Sequence, residues 1–281
     1  MLTSGSALNE DWFHRAQRSL LRHDRELAER YKGAWRDCPV WIGATREHAD
    51  FEGPDHELIP TLIGDLVEFA TRRDLHPLVH AAIAHAQFET IHPYAGGNGR
   101  VGRLLIHRLL DASGSPIPVA HGLLADTNAY ISGLTAYRTG DLDAWTAQFA
   151  VAVADAADIG TTLLHRLDAV RHHLHEIVTT RGNSATRQLL DDLVTQPAVT
   201  SSEVEHRYGI SQPTASQALN RLRDLGVIRP SALATGRETV WVAPDVIAAL
   251  DSINNAHAAT SPPASISDPP GWRPVAQACA F

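Results

Sequence analysis

Ile91-His92-Pro93-Tyr94-Ala95-Gly96-Gly97-Asn98-Gly99-Arg100-Val101-Gly102-Arg103 is the stretch on which the reading of this chain turns. Before it, Leu78, Val79, Ala82, Ile83 and Ala86 recur at helical spacing behind Pro77, a residue suited to a first helical turn. After it, Val101, Leu104, Leu105 and Leu109 recur in the same way. The stretch is therefore a tight glycine-rich turn between two buried helices. Gly96, Gly97 and Gly99 allow positive φ and a close approach of backbone to ligand. A helix opening at Asn98 or Gly99 leaves free N–H groups, which suit a phosphate. Arg100 and Arg103 lie three apart in its first turn and share a face. Cations there oppose the helix dipole, at a cost of roughly a few tenths of a kcal/mol each. A local rule broken twice points to a negatively charged ligand. His92, at the exit of the preceding helix, titrates near neutrality and suits a general base. Read from the residues alone, this is a phosphate-binding helical domain with a candidate base.

Working outward, the rest of the chain is mostly helical by pattern. Trp12 to Trp35 reads as helix, with Phe13, Ala16, Leu20, Leu27 and Tyr31 inward. Val40 to Pro54 holds glycines and scattered polar residues and reads as a short hairpin. Pro60–Arg72, Pro77–Thr90, Asn98–Ala112, Asp126–Tyr137 and Asp141–Ile159 are predicted helices, and Ser113-Gly114-Ser115-Pro116 stops the third. Thr161 to Thr180 continues as a polar connector. Its His172, His173 and His175 read as a solvated face, since no third metal-ligand type accompanies them.

Arg181-Gly182-Asn183 marks a boundary. Beyond it, predicted helices at Thr186–Leu193, Thr200–Tyr208 and Ser211–Leu225 precede two short strands, Gly226–Ile228 and Thr239–Val242. Thr200 or Ser201 is the expected cap, with Glu203 as its capping-box partner. The rhythm is that of a winged helix-turn-helix. Between Asn183 and Leu250 stand six arginines, no lysine and seven acidic residues, a poor surface for neutralising phosphates. Yet Ser211, Gln212, Thr214, Gln217, Asn220 and Arg221 suit base edges. DNA contact through 211–225 and protein contact, a homodimer included, both stay open. The sequence from Asn254 on is rich in Ala, Pro and Ser and reads as a disordered tail.

Composition bounds these readings. The chain has 281 residues, 44% of them hydrophobic, enough for about two domains. A net charge of −8 disfavours non-specific nucleic-acid binding. Two cysteines, Cys38 and Cys279, are too few and too far apart for a disulfide framework or a zinc site. Met1 to Asp11 lacks an apolar signal-peptide core, and no run approaches 18 apolar residues, so no membrane span is predicted. The cytoplasm is the expected compartment. High Ala, Arg and Asp with a single Met suggest a high-GC bacterium.

His92–Arg103, HPYAGGNGRVGR, resembles the Fic (Fido) motif HPFx(D/E)GNGRxxR. Val40-Trp41-Ile42-Gly43 resembles that family's entry to a target-docking flap, and Phe88-Glu89-Thr90-Ile91 its lead-in. Tyr130, Arg138, Gly140-Asp141 and Trp145 are similar to its later helices. The resemblance covers about residues 12 to 160. It implies a mainly α Fic-type helical bundle with a short β-hairpin flap, followed here by the winged helix-turn-helix. The expected divisions are an N-terminal helical segment 1–35, a core 36–160, a connector 161–182, a winged domain 183–252 and a tail 253–281. It further implies a nucleotidyltransferase that moves AMP, or another nucleotidyl or phospho group, from ATP or another nucleotide to a Ser, Thr or Tyr hydroxyl of a protein. His92 would be the catalytic base. Gly96, Gly97, Asn98, Gly99, Arg100 and Arg103 would bind the phosphates, and Ile42, Gly43, Ala44 and Thr45 would form the docking flap.

The motif's acid, which holds Mg²⁺ in the family, falls on Gly96, so no metal ligand is assigned. This departure opens three alternatives: a non-AMP donor, a small-molecule acceptor, or an impaired nucleotide-binding regulator acting through the winged domain. Ser6 to Asp11 is similar to the family's inhibitory motif except at its last place, with Glu10 as the candidate acid. Autoinhibition is otherwise absent or supplied by a separate partner.

Overall fold

The computed structural model describes residues 7–43, 46–110, 117–179, 184–232 and 238–258. Ala44 and Thr45, the helix stop at 113–116, the boundary at 181–183, the loop around Gly236 and the sequence from 259 on lie outside the described residues. The protein is mainly α-helical. It divides into two units, one running to Asp158 and the other starting at Ile159.

The first unit is built on α3 (Pro77–Ile91), which is buried on nearly all sides. Ala81, Ala82, Ala84 and Ala86 keep its girth small, so helices approach from every direction. Against it lie α1 (Glu10–Leu21), α2 (Ile59–Ala70), α4 (Asn98–Leu110) and α6 (Thr127–Arg138). One core joins Trp12, Phe13 and Ala16 to Ile59, Phe88, Tyr94 and Val101. The inner face of α1 is part of this core. A second core gathers Ala82, Ile106, Tyr130, Trp145 and Phe149, and includes the short α5 (Val119–Ala125), which the pattern did not predict.

The helix predicted over Trp12–Trp35 stops at Leu21 and returns only as a single turn, Glu29–Tyr31. Asp24 is the physical cause: its carboxylate accepts the N–H groups of Glu26 and Leu27 at 2.9 and 3.0 Å, a local turn that competes with the helical ladder. Leu27 and Tyr31 are still buried, but Leu20 is 41% exposed and Leu21 takes the inner place. The hairpin pairs β1 (Trp41–Gly43) with β2 (Ala49–Glu52), with Ile42 opposite Phe51 and an irregularity after Ile42.

α7 (Leu142–Ile177) runs as one helix through the stretches predicted as Asp141–Ile159 and its helical continuation Thr161–Thr180. Gly160 in its interior costs about 1 kcal/mol, less than ending one helix and nucleating another. By length and composition alone α7 could cross a membrane, but its Trp145, Phe149, Val153 and Ala156 are buried in protein.

The second unit holds α8 (Ala185–Leu193), α9 (Ser201–Tyr208), α10 (Gln212–Asp224) and α11 (Pro244–Ala258), with strands β3 (Ala198–Val199), β4 (Arg229–Pro230) and β5 (Trp241–Val242). The strands form an antiparallel sheet in the order β3-β5-β4. Its core is Leu189, Leu193, Val204, Leu219, Leu222, Val227 and Val246, with Leu174 and Val178. Thr200 and Glu203 make the predicted capping box. Helix α11 runs to Ala258, past the expected start of the tail, because Val246 and Ala249 are buried in the unit.

The close fit of α4 on α3 rests on Gly102. A methyl group there would collide with Oε1 of Glu89 and meet the His85 ring at 3.1 Å. Gly102→Ala is expected to cost about 1–3 kcal/mol by overpacking. Denaturant unfolding followed by tryptophan fluorescence checks this, and an unchanged midpoint would show that α4 can shift freely.

Candidate active site

The site is assembled where α3 ends and α4 begins. His92 closes α3 with φ 48° and ψ 59°, and among the described residues it is the one non-glycine with positive φ. That conformation costs a β-carbon-bearing residue about 1–2 kcal/mol. It lets the His92 N–H bond to Phe88 O at 2.9 Å while the side chain leaves the helix line. The strain is held in place by Arg36, a buried residue that sequence reasoning missed. Its Nε donates to His92 O at 2.8 Å, its Nη2 to Ile91 O at 3.4 Å and to Pro54 O at 2.6 Å, and its Nη1 to Cys38 O at 2.9 Å. The Arg36 backbone N–H donates to Pro93 O at 2.9 Å. The last carbonyls of α3, which no helical N–H can reach, thus find donors in one guanidinium. No local sequence pattern marks Arg36, because its partners lie up to 56 residues away.

The turn is held from inside. Asn98 is buried; its amide oxygen accepts the Tyr94 N–H at 2.9 Å and its amide nitrogen donates to Tyr94 O at 2.8 Å. Part of the donor capacity expected for phosphate is therefore spent on the loop. Gly97 takes the positive φ, 83°. Gly96 does not, and its carbonyl accepts from the buried Gln17 at 3.2 Å. Tyr94 is fully buried, its ring 4.8 Å from Trp35 and 6.4 Å from Phe88. Hence α1 and the residues behind it support the turn.

The candidate phosphate ligands divide. Arg100 is half exposed, and Asp24 Oδ2 lies 3.6 Å from its Nη2. Arg103 turns its charge toward the buried His85 and Tyr130, which hydrogen-bond each other at 3.0 Å. Arg100 and Arg103 thus have different nearest charged or polar neighbours. Asp24 went unnoticed in the sequence because that stretch reads as helix. Its carboxyl is held below the ordinary range by the Leu27 and Glu26 N–H groups and by Arg100, working against its partial burial. A methyl group on Gly96 would stand 3.3 Å from Leu27 Cδ1, so an apolar side chain borders this position. Among the described residues, no group of three or more His, Cys, Asp or Glu is placed to hold a metal ion. The residues present do not fit Mg²⁺ at this turn. Glu10 accepts from the Trp35 indole N–H at 2.8 Å and lies 3.5 Å from His14.

His92 Nδ1 faces Glu89, 3.3 Å from its carbonyl oxygen and 3.9 Å from its carboxylate. A proton on Nδ1 suits that contact and makes Nε2 the basic nitrogen. Burial pushes the imidazole pKa down to about 4; the Glu89 carbonyl opposes this, while Arg36 and Arg138 add to it. Arg138, on α6, also lies 3.7 Å over the ring of Phe51 in the hairpin. Ile42 and Gly43 stand on β1, while Ala44 and Thr45 lie outside the described residues. The arrangement offers a neutral base, a glycine turn and several cations, a combination suited to a reaction at a phosphate.

Comparison with known proteins gives the following. Residues 8–110 match the model of the Fic/DOC family. The chain is 37% identical over 90 residues to a probable protein adenylyltransferase of Aquifex aeolicus (strain VF5), covering 30% of this chain and 28% of that protein. It is 50% identical over 84 residues to protein adenylyltransferase Fic of Drosophila grimshawi, covering 30% and 17%. The chain thus spans less than a third of these curated relatives. Among solved structures, a Fic family protein from Desulfovibrio desulfuricans G20 aligns with 23% identity and a TM-score of 0.49, over 86% of this chain and 70% of that one. Fic-1 from C. elegans aligns with 22% identity and a TM-score of 0.44, over 56% and 44%.

Burial also pushes His85 down, to about 3. Both imidazoles titrate lower in the folded protein than the ordinary 6.5, so the unfolded chain binds the extra protons from pH 6.5 down to about 4 for His92 and about 3 for His85. Stability is then fully present above 6.5 and lost as pH falls through that window, at about 1.4 kcal/mol per pH unit for each histidine at most. Melting curves between pH 7.5 and 4.5 check this, with His92→Asn expected to flatten the slope. An equal slope in the variant would mean that His92 titrates normally when folded.

Proposed function

We propose that residues 8–110 form the catalytic part of a Fic-type nucleotidyltransferase that moves AMP from ATP to a Ser, Thr or Tyr hydroxyl of a protein. The observation that carries this reading is His92. A neutral imidazole is held at the mouth of a glycine turn with arginines beside it, and a protein that only senses nucleotide needs no base there. The relatives named protein adenylyltransferases support the AMP group over other donors.

In this reading the hydroxyl oxygen attacks the α-phosphorus as His92 Nε2 takes its proton. The bond from the α-phosphorus to the bridging oxygen breaks, and pyrophosphate leaves with the charge. Free N–H groups at the start of α4 hold the phosphates. Arg100 and Arg103 would reach the outer ones, where guanidinium forks bind in pairs. The ligand must take Arg100 from Asp24, an exchange of one anion for a stronger one. The hairpin presents the acceptor, and Ile42 and Gly43 lie on its strand.

Gly96 favours a second reading, a nucleotide-binding regulator whose second unit acts. There α10 exposes Ser211, Gln212, Thr214, Gln217, Asn220 and Arg221, so DNA or protein is its candidate partner.

Intact-mass spectrometry of the protein incubated with ATP, with and without Mg²⁺, separates the two. An AMP adduct that falls about 10²–10⁴-fold in His92→Ala, with ATP affinity nearly unchanged, is expected of the enzyme. Nucleotide binding with no adduct in the parent protein would favour the regulator. Gly96→Asp adds the decisive arm. Gly96 lacks positive φ and faces only the flexible end of Leu27, so the aspartate can be accommodated. It is expected to bring Mg²⁺ dependence and raise transfer at least about tenfold, or roughly 1.4 kcal/mol of barrier. A folded variant that gains neither removes AMP transfer from the front.

A further inference from the structure

We propose that Arg36 is a positioning residue that ties both roots of the β1–β2 hairpin to the backbone of His92 and so sets the register between an acceptor on the hairpin and the base. The inference rests on the reading of His92 as that base. The geometry behind it is specific. The hairpin is entered from Cys38 and left at Pro54, and Arg36 donates to the carbonyls of both. The same guanidinium donates to Ile91 and His92, on either side of the αL turn. Gly53 closes the hairpin base through its N–H to Val40 O at 2.9 Å. A β-carbon at Gly53 would stand 3.0 Å from Arg36 Nη2 and 2.8 Å from Val40 Cγ2, so the hairpin packs on the guanidinium itself. On the other side, Arg138 lies over Phe51 and bears on His92 and Glu89. Glu89, Arg36 and Arg138 are charged groups facing His92, and the two arginines also touch the hairpin or its roots.

A planar fork with five donors can serve four carbonyls at once; a lysine ammonium has three donors on a flexible stem and cannot. Two perturbations follow. Arg36→Lys keeps the charge and loses the fork. Gly53→Ala keeps every donor and pushes the hairpin away from the fork. Arg36→Met is a third arm, at risk of unfolding because it strands buried carbonyls.

Two measurements do not depend on activity: hydrogen exchange across the hairpin, and the NMR titration of the His92 imidazole, assigned by its loss in His92→Asn. In Arg36→Lys, exchange over Val40–Gly53 is expected to rise at least about tenfold, with a smaller rise in Gly53→Ala and no change in α8–α10. Both variants should shift the His92 titration, and where transfer is measurable by AMP adduct, its rate should fall with ATP affinity kept. Folded Arg36→Lys and Gly53→Ala proteins whose hairpin exchange and His92 titration both match the parent overturn the proposal. Absence of an adduct in the parent, or an adduct indifferent to His92→Ala, overturns the enzyme reading instead, while exchange and titration still decide the role of Arg36.

Discussion

A buried guanidinium holding four backbone carbonyls is the constraint on which the rest of the site depends. Burying a cation costs several kcal/mol unless its donors are satisfied, and here carbonyl oxygens, not a carboxylate, satisfy them. The burial is deep enough to lower even the arginine pKa to about 10, with Asp55 the charge that opposes it. Such a group tolerates little misplacement of its partners. If the end of α3 moved, the guanidinium would lose Ile91 and His92; if the hairpin roots moved, it would lose Cys38 and Pro54. The αL strain at His92 is thus balanced by contacts that exist only when three separate stretches of chain are in place.

The glycine turn shows a second division of labour. Its inner side is consumed by structure: Asn98 closes on Tyr94, Gln17 holds Gly96, and Gln17 also holds the backbone of Tyr31 and Gly33. The buried Leu21 and Leu27 pack close to Gly97 and Gly96, and Asp24 lies at Arg100. The replacement of an acid by Gly96 is therefore not an isolated loss. The space the acid would enter is bordered by the end of Leu27, from the segment that follows α1. A carboxylate is present near the turn, but it is spent on an arginine and on two N–H groups of its own loop. The chemistry this chain can perform without help from a cation accordingly falls on backbone N–H groups, the arginines and His92.

The low pKa of His92 fits that arrangement. Burial and two cations disfavour the imidazolium, and the Glu89 carbonyl offsets them only in part. A base kept neutral at every ordinary pH is ready to accept a proton. Its low basicity also means that it gains more from proton transfer late in bond formation than from removing the proton first.

What could be read from the sequence was local. The helices on either side of the turn, the capping box at Thr200 and Glu203, and the roles open to His92 and the glycines follow from spacings of a few residues, within which propensity and periodicity act. Readings failed where a nearby side chain or a distant core overrode the pattern. Asp24 ended a helix early, and Leu20 and Leu21 exchanged places. Arg36, Gln17 and Arg138 could not be found as parts of the site by spacing at all, since an arginine in a sequence reads as a solvated charge. By itself the sequence determined that a mainly helical protein presents HPYAGGNGR at a helix junction, with no acid at Gly96. The tertiary structure alone decided which arginine is buried, which carbonyls it holds and what stands in place of the missing acid. Those choices depend on desolvation and on contacts between stretches tens of residues apart, and neither is encoded in any local window.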